Sequence, residues 1–192
     1  WLLDPADMTV QAGGTATIDA GGNNDPAATA TTISAATIVT ALDTTTVLLL
    51  ATNSITVDEV IDASGNATAN TLTFDAPTLT LNQNVLTEGG QVYDGNVVVG
   101  GANIALTSDA GTVTFNNAVD SAASQANSLT VNSSGAIAFN DAIGAGTDGA
   151  LGSLSLNSSA GTVALASSLT LNGNLGIAAG SGNITAVSYT HL

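Results

Sequence analysis

The chain has 192 residues, of which 44% are hydrophobic but only 3% aromatic, so its core must be built from Val, Ile, Leu and Ala. It carries 15 acidic residues, no Lys and no Arg, and this net charge of −15 excludes the cationic groove that nucleic acid requires. The same charge disfavours anionic membranes and anionic polysaccharides as partners. Cysteine is absent, which excludes disulfides and thiol chemistry.

The first segment of note is Gly21-Gly-Asn-Asn-Asp25, which resembles one copy of the Gly-rich calcium-binding nonapeptide of β-rolls. A β-roll repeats that motif in tandem, and this chain has it once, so we interpret the segment as a turn. Residues 34–42 then place apolar side chains at helical spacing behind Ser34, a suitable N-cap. This pattern predicts a short helix packed beside the first strands. The longest strongly apolar run, Val47–Ala51, is far shorter than the about 20 residues that span a bilayer, so we expect no membrane insertion.

The rest of the chain repeats short segments in which apolar and small polar residues alternate, the pattern of a strand with one buried face. The clearest copies are Gly111-Thr-Val-Thr-Phe115 and Gly135-Ala-Ile-Ala-Phe139, which begin 24 residues apart. A second signature places Asn or Asp directly after an apolar-polar-apolar strand, at Leu72–Asp75, Leu79–Asn82, Leu129–Asn132, Leu154–Asn157 and Leu169–Asn172. Gly, Asn, Asp and Ser bound the strands, as expected of tight corners.

Two or three such strands in each repeat form one coil of a solenoid, so we predict an all-β fold, a right-handed parallel β-helix over residues 1–187. Its coils would stack Val, Ile and Leu into interior ladders and Asn into amide ladders at a corner. The alternative is a string of immunoglobulin-like sandwiches, which have longer strands, more aromatic residues and a mid-chain Trp. Residues 188–192 fall outside the repeat, and we expect them to be a non-native tail. We also expect the chain to be an internal fragment whose targeting signal lies elsewhere.

The only candidate site residues are carboxylates, which we regard as weak candidates for binding a metal ion: Asp25, Asp58, Glu59, Asp62, Asp120, Asp141 and Asp148. Successive coils could bring Asp120 close to the region of Asp141. Hydrolysis of a glycosidic bond needs two facing carboxylates, and a lyase acting on an acidic sugar would need Arg or Lys. Because the chain has no such cation and no aromatic platform for sugars, we expect no enzyme and no cofactor beyond weak Ca²⁺ association with the acidic surface.

The segment Trp1-Leu-Leu-Asp4-Pro5-Ala-Asp7-Met-Thr-Val10 resembles the Trp-Leu-Leu-Asp-Pro segment of filamentous-haemagglutinin-like large exoproteins. The helical stretch at 33–42, the strand pairs at 47–57 and the Gly/Asn-rich repeats are also similar to that family, so the resemblance covers residues 1 to about 187. The resemblance implies two-partner secretion through an outer-membrane secretion partner and a location outside the bacterium or on its surface.

The function that we expect is therefore that of a structural stalk in a secreted surface adhesin. By resemblance, other parts of the full protein would bind ligands on host or neighbouring cells. The first alternative is a binding module for Ca²⁺, a neutral glycan or ice, the last because outward Thr pairs such as Thr78 and Thr80 can organise water. A polysaccharide-degrading β-helix enzyme is the second alternative.

Overall fold

The computed structural model describes residues 5–23, 31–146 and 149–191. Its one helix in these ranges is α1 (Ala35–Leu42). The strands are β1 (Asp7–Val10), β2 (Thr32–Ile33), β3 (Val47–Leu50), β4 (Ser54–Val57), β5 (Ile61–Ala63), β6 (Leu72–Leu81), β7 (Val85–Thr87), β8 (Gln91–Val99), β9 (Asn103–Ser108), β10 (Val113–Phe115), β11 (Val119–Ser121), β12 (Ser128–Ser133), β13 (Ile137–Phe139), β14 (Leu154–Ser158), β15 (Val163–Leu171), β16 (Leu175–Ala178) and β17 (Ile184–His191).

These strands form a parallel β-solenoid of two sheets, one with eleven strands and one with six. The middle coils add strands to both sheets, and every pairing between named strands is parallel. Seven positions stack in register along the larger sheet, namely Val47, Leu72, Gln91, Val113, Ile137, Val163 and Ile184. The predicted all-β parallel helix with one short helix is therefore confirmed.

The helix begins where the sequence predicted. Ser34 has an extended backbone, and its side-chain hydroxyl accepts a hydrogen bond from the backbone N–H of Thr37 at 3.2 Å. Ala35, Ile38 and Leu42 lie on one face of α1 and are buried against the first coils. This spacing is that of one helical stripe, so packing on the solenoid supplies the stability that so short a helix lacks in isolation.

Three strands are longer than the sequence predicted. Two of the predicted short segments, Leu72–Asp75 and Leu79–Asn82, belong largely to the single strand β6, with an irregularity in its pairing between Asp75 and Thr78. β8 and β15 are similarly long, and β15 carries an irregularity in the same part of the coil. Between Asp75 and Thr78, β6 has one residue more than the paired part of β8, which is the count of a β-bulge. Pairing of the two strands resumes directly after this irregularity.

An aromatic column runs through the interior of the middle coils. The rings of Phe74, Tyr93, Phe115 and Phe139 stack with centroid separations of 5.4, 4.9 and 4.3 Å and interplanar angles of 10° to 11°. All four side chains are buried. The coil spacing of about 4.8 Å brings equivalent rings to stacking distance, so the column follows directly from the register of the strands.

Polar ladders occupy the corners. Thr87, Ser108, Ser133 and Ser158 stack in register and are buried, and each hydroxyl donates to a glycine carbonyl of a corner, at 2.7 to 2.8 Å. The predicted amide ladders are also present. Asn157 Nδ2 donates to Asn132 Oδ1 at 2.9 Å, and Asn140 Nδ2 donates to Asn116 Oδ1 at 3.1 Å.

The last strand differs from the sequence prediction. β17 continues to His191, and Ser188 to His191 pair in register with Ser168 to Leu171 of β15. Residues 188–191 thus extend the sheet instead of lying outside it, because the backbone of the preceding coil offers a parallel edge with which an extended segment can pair. The expectation that residues 188–192 are a non-native tail stays a prediction.

Candidate functional site

Three of the predicted carboxylates lie close together in the sequence, Asp58, Glu59 and Asp62, but their side chains bind different partners. Asp58 accepts a hydrogen bond from Asn82 Nδ2 at 2.6 Å on the neighbouring coil. Asp62 accepts from the backbone N–H and the hydroxyl of Ser64, in a local turn. Glu59 Oε2 accepts from the backbone N–H of Ala35 at 2.9 Å. Each carboxylate therefore serves a separate structural contact.

Glu59 caps the beginning of α1. Its half-buried carboxylate binds the N–H of Ala35, the first helical residue, which has no acceptor within the helix. A negative charge at this end also interacts favourably with the helix dipole. The two residues are 24 positions apart, so inspection of the local sequence around Ser34 does not reveal this contact.

The other end of α1 is held by the loop that follows β5. Asn66 Nδ2 donates to Val39 O at 2.9 Å, and Asn70 Nδ2 donates to Leu42 O at 2.8 Å. The hydroxyl of Thr68 donates to Asp43 O at 2.7 Å. These donors satisfy carbonyls that the end of a helix leaves without partners. Residues that precede and follow β5 in the sequence therefore form hydrogen bonds with both ends of α1.

Together, β2 and α1 form what we call the N-terminal cap, residues 32–42. β2 pairs with the outer edge of β1, and α1 packs beside β5, the last strand of the smaller sheet at this end. Ile33 and Ile38 are fully buried in the cap. The cap thus adds one short strand beyond β1 and packs a helix against β5 beside the apolar interior.

Two further predicted carboxylates, Asp120 and Asp141, also bind different partners. Val119 forms a bridge with Ile143, so the coil stacking brings Asp120 to the loop that follows Asp141. Asp120 Oδ1 accepts from the backbone N–H of Gly146 at 3.1 Å, whereas Asp141 Oδ1 accepts from the N–H of Ala142 at 2.7 Å. Both carboxylates therefore order the local backbone. Asp25 and Asp148 lie outside the described residues.

Within residues 5–23, 31–146 and 149–191, no three His, Cys, Asp or Glu side chains lie close enough together to hold a metal ion. The same part of the chain contains no helix long and apolar enough to cross a bilayer.

Two further carboxylates organise the beginning of the chain, and the sequence analysis did not single them out. Asp7 Oδ1 accepts from Ser54 Oγ and from Asn53 Nδ2, each at 2.6 Å, and these bonds, that of Ser54 first, lower the pKa of Asp7. Asp19 Oδ1 accepts from the backbone N–H groups of Asn23 and Gly21, which lower its pKa despite an opposing desolvation effect. The turn predicted at Gly21 is confirmed as far as Asn23.

The outward hydroxyl array is short. Four threonines stack in register on the outside of the larger sheet, namely Thr32, Thr9, Thr56 and Thr80, but the next two positions are Val98 and Asp120. The regular array of hydroxyls in the described residues therefore ends after four positions.

Hollows on the surface are open and shallow. One of about 620 Å³ lies between the outer face of α1 and residues 17–20, and its lining consists mainly of Thr and Ala side chains. Its one carboxylate, Asp19, is already bound to the backbone of its own turn. A second hollow, of about 350 Å³, follows the corner that carries Asn132 and Asn157.

The fold and these contacts define the class of the protein as a parallel β-solenoid repeat module with a helical cap at one end. Comparison of the chain with protein-family models, with curated proteins and with solved structures gave no match. The resemblance to filamentous-haemagglutinin-like exoproteins therefore stays a prediction.

Proposed function

We propose that this chain is a stiff stalk segment of a secreted bacterial surface adhesin, which holds a binding region away from the cell. The observation that carries the proposal is that buried side chains stack on one another without interruption through the interior of the solenoid. Apolar ladders, the aromatic column and the corner ladders follow one another from coil to coil over seven stacked positions. Such a molecule bends only if neighbouring coils separate, because each coil contacts only its neighbours.

A buried hydrogen-bond network strengthens the middle of this interior. Gln91 is the polar member of an otherwise apolar ladder, and its Nε2 donates to Thr107 O at 2.7 Å and to Val85 O at 3.1 Å. Its Oε1 accepts from the buried hydroxyl of Tyr93 at 2.8 Å. These bonds join the two sheets across the interior and join one coil to the next. Every buried side-chain nitrogen or oxygen atom of the described residues has a hydrogen-bond partner.

The surface charge also suits display outside a cell. With 15 acidic residues and no Lys or Arg, parallel stalks on one cell would repel one another at short range. The carboxylates of Asp7, Asp58 and Asp62 are exposed and accept hydrogen bonds from neighbouring polar groups, so each has a partner within the chain although no Lys or Arg is present. Seven coils at about 4.8 Å each give this segment a length of roughly 35 Å.

The adhesin and secretion parts of the proposal rest on the Trp1–Val10 resemblance together with the solenoid fold. They imply an outer-membrane secretion partner and ligands on host or neighbouring cells, bound by other parts of the full protein. Within this proposal the segment performs no chemistry of its own. Its carboxylates act as structural acceptors, as those of Glu59 and Asp120 do.

The test is to label intact cells of the producing bacterium with antibodies raised against the folded chain. We expect labelling without permeabilisation, and loss of cell adhesion when the segment is deleted in frame from the chromosomal gene. A cytoplasmic protein, labelled only after permeabilisation, is the control. Labelling that requires permeabilisation would contradict the proposed location, and unchanged adhesion after deletion would contradict the role as a stalk.

A further inference from the structure

The outer face of the smaller sheet carries a ladder of polar side chains with unused hydrogen-bonding groups. Thr107, Asn132 and Asn157 stack in register on β9, β12 and β14. Asn157 Nδ2 donates to Asn132 Oδ1 at 2.9 Å and to Ser155 Oγ at 3.4 Å, and Asn132 Nδ2 donates to Thr107 Oγ1 at 3.4 Å. An Asn amide has two N–H donors and an oxygen acceptor. Among the described residues, no donor reaches Asn157 Oδ1, and one N–H of Asn132 has no acceptor.

The hollow of about 350 Å³ at this corner follows the ladder from coil to coil. Three residues from each of three coils line it, and we call residues 107–109, 132–134 and 157–159 the amide groove. Its lining consists of Thr, Ser and Asn, with Asp109 as the one charged side chain. Because equivalent residues stack on one another, the groove runs parallel to the axis of the solenoid.

The charge around the amide groove restricts its partner. β9, β12 and β14 contain no Asp or Glu, whereas the larger sheet carries Asp75, Asp94 and Asp120 in β6, β8 and β11. The net charge of −15 repels a polyanion, and a polycation would bind better to the more acidic sheet. The groove therefore suits an uncharged partner rich in hydroxyl groups.

The repeat of the ladder restricts the shape of that partner. Equivalent groups recur with the spacing of the coils, about 4.8 Å. An extended β-1,4-linked polysaccharide, the class that contains cellulose, advances by a similar distance with each sugar and has hydroxyl groups along both edges. An α-1,4-linked chain of the same sugar winds into a helix, so its hydroxyl groups do not stay in step with a straight ladder.

We propose that the amide groove binds a neutral β-1,4-linked polysaccharide that lies parallel to the solenoid axis. The remaining N–H of Asn132 donates to a sugar oxygen, Asn157 Oδ1 accepts from a hydroxyl one coil further along, and Asp109 accepts from a hydroxyl at the other end of the groove. These hydrogen bonds reach the edges of the sugars, so no aromatic side chain is needed beneath their faces. This binding is a further function of the segment and does not depend on its role as a stalk.

The experiment is an NMR titration of the full, isotope-labelled 192-residue chain with cellohexaose. Maltohexaose, which has the same composition and α-1,4 linkages, is the ligand control. We expect the side-chain amide signals of Asn132 and Asn157 to shift with cellohexaose. The affinity for cellohexaose should exceed that for maltohexaose at least about tenfold.

Two Asn ladders provide a matched pair of variants. Asn157→Ala removes an amide of the groove, so we expect the affinity for cellohexaose to fall at least about fivefold. Asn140 Nδ2 donates to Asn116 Oδ1 at 3.1 Å in a ladder outside the groove, so Asn140→Ala also loses one bond between coils but should bind normally. Ser159→Leu, at an exposed position of the groove, should weaken binding because its side chain fills part of the hollow. Circular dichroism checks that all three variants retain the β-sheet spectrum.

Three results would overturn the proposal. One is the absence of any shift of the Asn132 and Asn157 signals with cellohexaose. Another is equal affinity for maltohexaose, because the spacing of the ladder would then play no part. Undiminished binding by Asn157→Ala, or an equal loss in Asn140→Ala, would place the binding site outside the amide groove.

Discussion

At the scale of single residues, the acidic side chains act mainly as acceptors that fix the backbone. Glu59 holds the first N–H of α1, Asp120 holds the loop at Gly146, and Asp7 joins β1 to the beginning of β4. In a chain without Lys or Arg, a carboxylate can obtain its favourable contacts only from N–H and O–H groups.

Replacement of Glu59 tests this role directly. Glu59→Ala removes the acceptor and the charge at the beginning of α1, so we expect the free energy of unfolding to fall by about 1 kcal/mol. Glu59→Gln retains an oxygen acceptor and should lose less. Asp109→Asn removes one negative charge at an exposed position and is the matched control. Urea unfolding followed by circular dichroism measures all three, and equal stability of Glu59→Ala and wild type would contradict the capping role.

Acid should weaken the fold through the same carboxylates. The pKa values of Asp7 and Asp19 in the folded chain lie below the ordinary value of 3.8, so their contribution is fully present above that value and is lost as the pH falls through the lower, folded values. We expect the thermal midpoint at high salt, where general repulsion is screened, to be constant near neutral pH and to fall below about pH 4. In Asp7→Asn the acid-induced fall should be smaller. An identical fall in that variant would show that Asp7 does not contribute.

At the scale of elements, the sequence predicted the regular features and missed those that depend on stacking. The helix and its Ser34 cap were predictable because both signals are local, and the Asn ladders followed from the position of Asn after each strand. The cap contact of Glu59 and the aromatic column depend on which residues lie above one another. That register could not be predicted, since the spacing between stacked positions changes from coil to coil, for example from 18 residues (Leu79 to Val97) to 26 residues (Ile137 to Val163).

Close stacking of the corners leaves no room for a side chain at Gly161. A Cβ atom at Gly161 would lie 2.2 Å from the backbone nitrogen of Ala136 on the preceding coil, so the two coils would have to separate. We expect Gly161→Ala to lower the free energy of unfolding by about 1–3 kcal/mol. Gly65→Ala is the matched control, because nothing lies within 4 Å of a Cβ atom at that exposed position. Thermal unfolding compares the two, and similar midpoints would contradict the tight corner.

At the scale of the whole molecule, the described coils share one continuous interior, and acidic residues occur along the chain as far as Asp148. The fold class was predictable because alternation of apolar and polar residues, with Gly and Asn between strands, specifies coils whatever their exact register. The partners of the N-terminal cap were not predictable, because nothing local in the sequence shows that β2 pairs with β1 and that α1 packs against β5. The proposed stalk function depends on stiffness, which is a property of the whole stack and of no single residue.

The most direct test of the central claim is to stretch the single chain between handles at its two ends. If the coils form one stiff stack, the extension should stay constant as the force rises and then increase in steps as coils detach. A coil of about 24 residues would release roughly 80 Å in each step. A smooth extension that begins at the lowest forces, as for a flexible polymer, would contradict the proposal that this segment is a stalk.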